Sequence, residues 1–421
     1  MFKLSTIYSF TLIVSIISLL TVPSFCQLFT RSQNVFNNLL SPMIPRSECY
    51  TSADNRVGLC MPKAACSSTG GIVAGNCGLL MACCIYQGTC RSVISANESY
   101  FVSPQYPTLQ TERLNPPMCI FTLHRNNLIQ KYPICQIRLD FDEFSLAPPR
   151  NGSCGYLTDS FVISGASNFN STGLPANGLC GDLTGQHVYI DVDPAEINEP
   201  LLLVVNTANE EMYNRKWSIR IQQIPCQSPF RAPSGCLQYY TSTSGTVESL
   251  NYRGMPRSRP YNQQQGSVSS SITSLLLPTQ SPNYFHNMNY GICIAQAPRS
   301  CGIRWTSADF DFGGFRKSQS GVGYQNPNIV SSGCTVNRGQ SDGGDYVVIP
   351  SGSADGLTMT QDRFCGQRLA SVDGSSLSTP ITSYSKPFVL YVHSDDTDDL
   401  VFTGPTNQKG FALKYEQITC S

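Results

Sequence analysis

Over several short stretches of the chain, apolar and polar residues alternate with a period of two. Ile137, Leu139 and Phe141 point to one side of one stretch, and Trp217, Ile219 and Ile221 to one side of another. Successive side chains of a strand project to opposite faces, so this pattern predicts strands buried on one face. His187–Asp191 reads as a further strand, and residues 201–205 form an apolar run of strand length bounded by polar residues. Clusters of Gly, Pro, Asn and Ser separate these stretches, and long segments of helical period are hard to find. The pattern predicts an all-β chain of two tandem antiparallel β-sandwiches, preceded by a small disulfide-rich module.

The first residues follow another pattern. Lys3 is the only charge ahead of an apolar and hydroxyl run over 7–20, Pro23 breaks the run, and Ser24-Phe25-Cys26 is a small-x-small site. This predicts a secretory signal peptide over 1–26, cleaved before Gln27. The run is shorter than the ~20 residues a membrane span needs, and no later segment is long and apolar enough to span. Nineteen cysteines fit an oxidising, extracellular compartment. Removing Cys26 leaves eighteen, an even number that predicts a closed disulfide framework. Asn97, Asn151 and Asn170 begin N-glycosylation sequons and are the expected glycan sites.

Charge narrows the function classes. Charged residues make up 13% of the chain, about half the usual ~25%. The 28 basic and 28 acidic side chains cancel, which leaves no basic footprint for nucleic acid. Four histidines leave little room for a multi-His metal centre.

The cysteines fall into three groups of six. The first spans 49–84, too short to bury a sufficient core unaided. Three bridges must substitute, each contributing roughly 2–4 kcal/mol. Gly58, Gly70, Gly71, Gly75 and Gly78 mark turns there. Cys-x-x-Cys pairs are missing, which disfavours zinc. The other two groups, over 90–226 and 236–420, repeat one plan. Residues 135–139 match 301–305, Asp159 and the strand after it match Asp345 and its strand, Cys180-Gly181 matches Cys365-Gly366, and 217–221 match 411–415. Val102 is matched with Val247, which requires one extra residue before Tyr252. Residues 227–235, with Pro229 and Pro233, read as a linker short enough to hold the copies close together. The second copy carries a Ser-, Gln-, Pro- and Arg-rich insertion near 253–282.

The order of the first six cysteines, ending in the adjacent pair Cys83-Cys84 with Gly58 ahead of Cys60, resembles the arthropod clip module. That resemblance implies the pairs Cys49–Cys83, Cys60–Cys77 and Cys66–Cys84. Clip modules usually precede a serine-protease domain, and none is read in the residues that follow. The two larger copies resemble the CUB domain. Ser103-Pro104-Gln105-Tyr106-Pro107, the Ile137, Leu139, Phe141 and Phe144 positions and Cys180-Gly181 carry the likeness. It is strong over 90–226 and looser over 236–420, where the insertion falls. It implies a jelly-roll type of sandwich and the pairs Cys90–Cys119, Cys154–Cys180, Cys236–Cys293 and Cys334–Cys365. Cys135, Cys226, Cys301 and Cys420 stand outside the family's four-cysteine pattern. The pairs Cys135–Cys226 and Cys301–Cys420 are predicted for them, each tying an inner strand to the closing strand.

Many CUB domains bind calcium through clustered acidic residues. In the first copy only Asp159 stands at such a position, and calcium is not expected there. In the second, Asp345, Asp395 and Asp396 stand at matching positions and Asp311 offers a further oxygen, so these four are the candidate calcium ligands. The alternative is a solvated acidic loop. Gly339-Gln340-Ser341-Asp342-Gly343 has the letters of a nucleophile elbow, but it sits in a polar loop with no helix pattern behind it. It reads as a loop before a strand.

The expectation is a secreted, non-catalytic binding protein that recognises an extracellular protein or glycan, and it resembles secreted arthropod proteins built from CUB domains without a protease. Alternatives are a regulator or adaptor of an extracellular serine-protease cascade, a structural matrix or cuticle component, and a hydrolase using Ser341.

Overall fold

In a computed structural model, the described residues are 48–51, 54, 56–125, 133–150, 152–155, 158–165, 173–196, 198–208, 213–254, 284–313, 334, 344–358, 362–372, 375, 377–395 and 409–420, with the backbone alone at 328–330. The expected signal peptide, nearly all of the insertion, and the motif around Ser341 lie outside them. The chain divides into two compact units, Met1–Ile85 and Tyr86–Ser421.

The first unit is a four-stranded sheet of β1 (Glu48–Tyr50), β2 (Val57–Pro62), β3 (Ile72–Gly78) and β4 (Met81–Ile85), in the order β1-β2-β4-β3, with one short helix, α1 (Lys63–Ser68). Its core is mostly half-cystine. Cys49, Cys66, Cys83 and Cys84 are buried beside Ala82 and Ile85. The bonds are Cys49–Cys83, Cys60–Cys77 and Cys66–Cys84. Gly58 is obligatory in this packing, because a Cβ there would stand 2.7 Å from the Cys84 carbonyl oxygen and 2.9 Å from the Cys83 sulfur.

The second unit holds both sandwiches. The first contains β5 (Gln87–Gly88), β6 (Val93–Ile94), β7 (Glu98–Val102), β8 (Met118–Leu123), β9 (Ile134–Ser145), β10 (Ser160–Ser164), β11 (His187–Asp191), β12 (Leu201–Asn206) and β13 (Lys216–Pro225). Its sheets run β10-β12-β8-β6 and β11-β9-β13-β7-β5. The second contains β14 (Cys236–Tyr240), β15 (Ser244–Glu248), β16 (Asn289–Ile294), β17 (Ser300–Asp311), β18 (Asn328–Val330), β19 (Tyr346–Val348), β20 (Arg363–Gly366), β21 (Ile381–Ser383), β22 (Phe388–His393) and β23 (Gly410–Thr419). Its sheets run β14-β16-β22-β19-β20-β18 and β15-β23-β17-β21, the same neighbour order with two strands added at one edge of the first sheet and no counterpart of β5 in the second. Among the described strands, pairing is antiparallel except at β5 with β7, β6 with β8 and β14 with β16, which run parallel. These parallel pairs depart from a purely antiparallel design. Each joins an edge strand to its sheet.

The strand alternation places the core. Ile137, Leu139, Phe141, Trp217, Ile219 and Ile221 are all fully buried. In both copies the closing strand skips one residue of its long partner: Ser218 and Ile219 face Glu143 and Phe141, while Leu413 and Ala412 face Ser307 and Asp309. The shared bulge bends both sheets at one place. It also fixes the correspondence between the copies, because Trp217 opposes Phe144 as Phe411 opposes Phe310. By that register Val247 replaces Phe101, not Val102, since they face Leu413 and Ile219. The extra residue expected before Tyr252 therefore vanishes. Ser249 corresponds to Ser103, and each amide donates to the closing strand, at Phe411 and Trp217.

Strand register also brings the remaining half-cystines together. Cys135–Cys226 and Cys301–Cys420 join the start of β9 or β17 to the residue just beyond β13 or β23. Cys90–Cys119, Cys154–Cys180, Cys236–Cys293 and Cys334–Cys365 complete the set.

Candidate functional site

An aspartate stands just ahead of β10 and of β19, and each is buried. Asp159 accepts the Ala147 amide at 2.9 Å on Oδ2 and the Ala208 amide at 2.9 Å on Oδ1. Arg215 adds two charge-assisted bonds, Nε to Oδ2 at 2.7 Å and Nη2 to Oδ1 at 2.9 Å. The side chains of this pair are 1% and 0% exposed. A buried carboxylate is tolerated when paired and fully hydrogen-bonded. Here it ties together the loops after β9, β12 and the start of β13.

Asp345 does the same work with neutral donors. Its Oδ2 accepts the Tyr284 hydroxyl at 2.7 Å, and its Oδ1 accepts the Asp395 amide at 2.8 Å. The Tyr284 oxygen in turn accepts the Gly313 amide at 3.2 Å. Gly313 has φ +72°, and a Cβ there would stand 2.1 Å from the Asp345 carbonyl oxygen, so a side chain is excluded. By register Lys409 is the counterpart of Arg215, but it turns to the surface, 2.9 Å from Asp309 and 3.2 Å from the Tyr252 hydroxyl. The hydrogen bond to Asp309 holds its ammonium above the usual lysine value.

The outer face of the six-stranded sheet carries a cluster of rings. Tyr346 opposes His393, and Val348 opposes Tyr391. The Tyr346 and His393 rings lie 4.8 Å apart, and the Arg363 guanidinium sits 5.3 Å from the Tyr346 centroid. Tyr391 is 44% exposed, and its neighbour on β16 is Gly291, which leaves the ring open on that side. Burial first, then Arg363, lower the His393 pKa against the opposing pull of Asp395. Further along β22 the same face is covered: Val389 and Cys293 pack with Tyr189 and Ile224 of the first sandwich. Tyrosine and arginine on a flat, partly covered face are the composition of recognition surfaces.

Residues 233–418 match the family model of the animal CUB domain. This segment is a CUB domain. Matched solved structures include the CUB1-EGF-CUB2 domains of rat MASP-1, 11% identical over 77% of this chain and 100% of that one, with a TM-score of 0.20. The human MASP-1/3 counterpart gives the same figures. The full extracellular region of zebrafish Gpr126/Adgrg6 is 12% identical over 78% of this chain and 36% of that one, at a TM-score of 0.23. No curated protein matches the sequence. The CUB domain holds both the Asp345 anchor and the ring cluster, and the first sandwich repeats its strand order.

Of the candidate calcium ligands, the structure brings together Asp345 and Asp395, the latter through its backbone amide. Asp311 ends β17 opposite Gly410 and is half-buried. Asp396 lies outside the described residues. Calcium takes six to eight oxygens, and among the described residues no group of three or more His, Cys, Asp and Glu could hold a metal ion. The described donors alone do not make a calcium cage. Asn97 is exposed just before β7, while Asn151 and Asn170 lie outside the described residues.

Sequence reasoning missed Arg215. A signal was present: its spacing from Trp217, Ile219 and Ile221 puts an arginine in the inward phase of the closing strand. The ring cluster had none, because it depends on the register of β19, β20 and β22.

Proposed function

We propose that this is a secreted, non-catalytic recognition protein that binds an extracellular protein or glycan through its paired sandwiches. CUB domains are generally binding modules, and the match over 233–418 is the observation that carries the reading. The nine disulfides among the described residues fit an extracellular protein, and no described helix is long and apolar enough to cross a membrane. The partner rests on the face formed by Tyr346, Arg363, Tyr391 and His393, where a ring and a guanidinium are available together. Capture from native extracellular fluid tests the reading: a discrete partner retained by the chain and lost from a Tyr391→Ala, Arg363→Ala variant supports it.

The three-disulfide unit favours a second reading, a clip-like adaptor of an extracellular protease cascade. Its β3–β4 turn exposes Leu79 at 93% and Leu80 at 83%, an apolar tip suited to a protein contact. Co-purification with a protease or zymogen that fails after Leu79→Ser, Leu80→Ser would support it. Labelling of the pure chain by an active-site serine probe would instead revive the hydrolase reading.

A further inference from the structure

The two sandwiches meet edge to edge. β11 ends a sheet of the first, and β14 ends a sheet of the second. An edge strand presents unpaired amides and carbonyls. Here side chains of the first sandwich meet the backbone of the linker, β14 and the segment after β15. The Gln136 carboxamide oxygen accepts the Ala232 amide at 2.9 Å, and its nitrogen donates to the Ala232 carbonyl at 3.2 Å. Gln186 does the same between the Asn251 amide, at 3.1 Å, and the Ser249 carbonyl, at 2.8 Å. The Asp182 amide donates to the Asn251 side-chain oxygen at 2.8 Å. The third backbone contact is made by a titratable group. His187 Nε2 lies 3.2 Å from the Tyr239 nitrogen and 3.1 Å from the Tyr239 oxygen.

Only an unprotonated Nε2 can accept the Tyr239 N–H. A protonated Nε2 can turn only to the Tyr239 oxygen, and the amide then loses its acceptor in a buried place. Charged and titratable groups face the imidazole from β9, β11 and β14. On β9 stand Arg138, bonded to Asp140 and to the Tyr189 hydroxyl, and Asp140 itself, directly opposite His187. β11 adds Tyr189, with ring centroids 5.6 Å apart, and Asp191, which bonds Gln136. From β14 come Tyr239 and Tyr240, the latter at 4.9 Å. Tyr415 and Glu248 stand behind Tyr240. Asp140 and the Tyr239 carbonyl favour the imidazolium. Burial and then Arg138 oppose it and prevail, holding His187 down to about 4.

We propose that this joint is acid-labile: a proton on His187 releases the first sandwich from the second, so the pair is one body near neutral pH and hinges apart in acid. In the opened joint His187 loses the burial that β14 gives it, and its pKa rises toward the ordinary 6.5. The ratio of closed to open joint then falls by at most about 20-fold between pH 7 and pH 5.

Two dyes on the full chain, at the exposed positions 109 and 357, read the separation at pH 7 and pH 4.5, with circular dichroism reporting the fold. His187→Gln keeps a donor and an acceptor toward Tyr239 without a titrating proton, as Gln136 and Gln186 do at their own contacts. The wild type is expected to separate in acid while folded, and the variant to hold its neutral-pH distance. A wild-type distance unchanged at pH 4.5, whole-chain unfolding with no earlier separation, or equal separation of the variant overturns the proposal. If His187→Gln does not fold, the His187 ring resonances of the wild type decide. Titration coincident with separation supports the hinge, and titration in a joint that stays closed overturns it.

Discussion

Arg215 lies buried against Asp159 with a guanidinium nitrogen on each carboxylate oxygen, whereas Lys409, at the matching place in the second copy, reaches outward to Asp309. One register position thus holds a core ion pair in one sandwich and a surface pair in the other. Removing one partner of a buried pair strands the other, at a cost of about 3–5 kcal/mol. A half-exposed pair contributes ~0–1 kcal/mol. Arg215→Ala is therefore expected to lower the denaturant midpoint sharply, and Lys409→Ala to leave it nearly unchanged. Equilibrium unfolding of both variants checks the contrast.

Asp345 is satisfied by a hydroxyl and an amide of its own chain. Asp345→Asn turns one acceptor into a donor and sets it against Tyr284 or the Asp395 amide, which costs about 1–3 kcal/mol. If the anchor is complete in itself, calcium at millimolar concentration leaves the thermal midpoint unchanged in wild type and variant alike. A calcium-dependent rise lost in Asp345→Asn would make Asp311, Asp345, Asp395 and Asp396 ligands after all.

Gln186 holds both a carbonyl and an amide of the second sandwich. Gln186→Ala leaves the Ser249 carbonyl and the Asn251 amide without these partners. The expected loss is about 2–3 kcal/mol, seen as weaker amide-exchange protection at Asn251 than at core strands such as β9.

The burial of His187 sets a pH dependence of known sign. Its folded pKa is depressed, so the stability linked to the neutral imidazole is fully present above about 6.5 and is lost as pH falls toward about 4. The total is about 3 kcal/mol at most. Unfolding free energy measured from pH 7.5 to 4.5 should fall less in His187→Gln than in the wild type.

The all-β architecture was legible because its signals are local. The phase of Trp217, Ile219 and Ile221 names the buried face, and the repeated cysteine-strand units announce two copies. The same phase placed Arg215 inward, beside Trp217, although nothing local showed that Asp159, 56 residues away, would meet it. Nothing local in the sequence singles out Gln136, Gln186 or His187. Their partners lie 52 to 96 residues further along the chain, and periodicity tells which face a side chain takes but not which neighbour it meets. The match of Val102 with Val247 failed for a related reason: it followed side-chain identity, whereas pairing with the closing strand sets the true correspondence.

Recognition of an extracellular partner is tested by capture from native extracellular fluid on the full chain. The wild type and the Tyr391→Ala, Arg363→Ala variant would be compared side by side, in calcium and in chelator. A discrete partner is expected on the wild type in both buffers, and at least tenfold less of it on a variant whose melting temperature is unchanged. A wild type that enriches nothing beyond the blank support would contradict it.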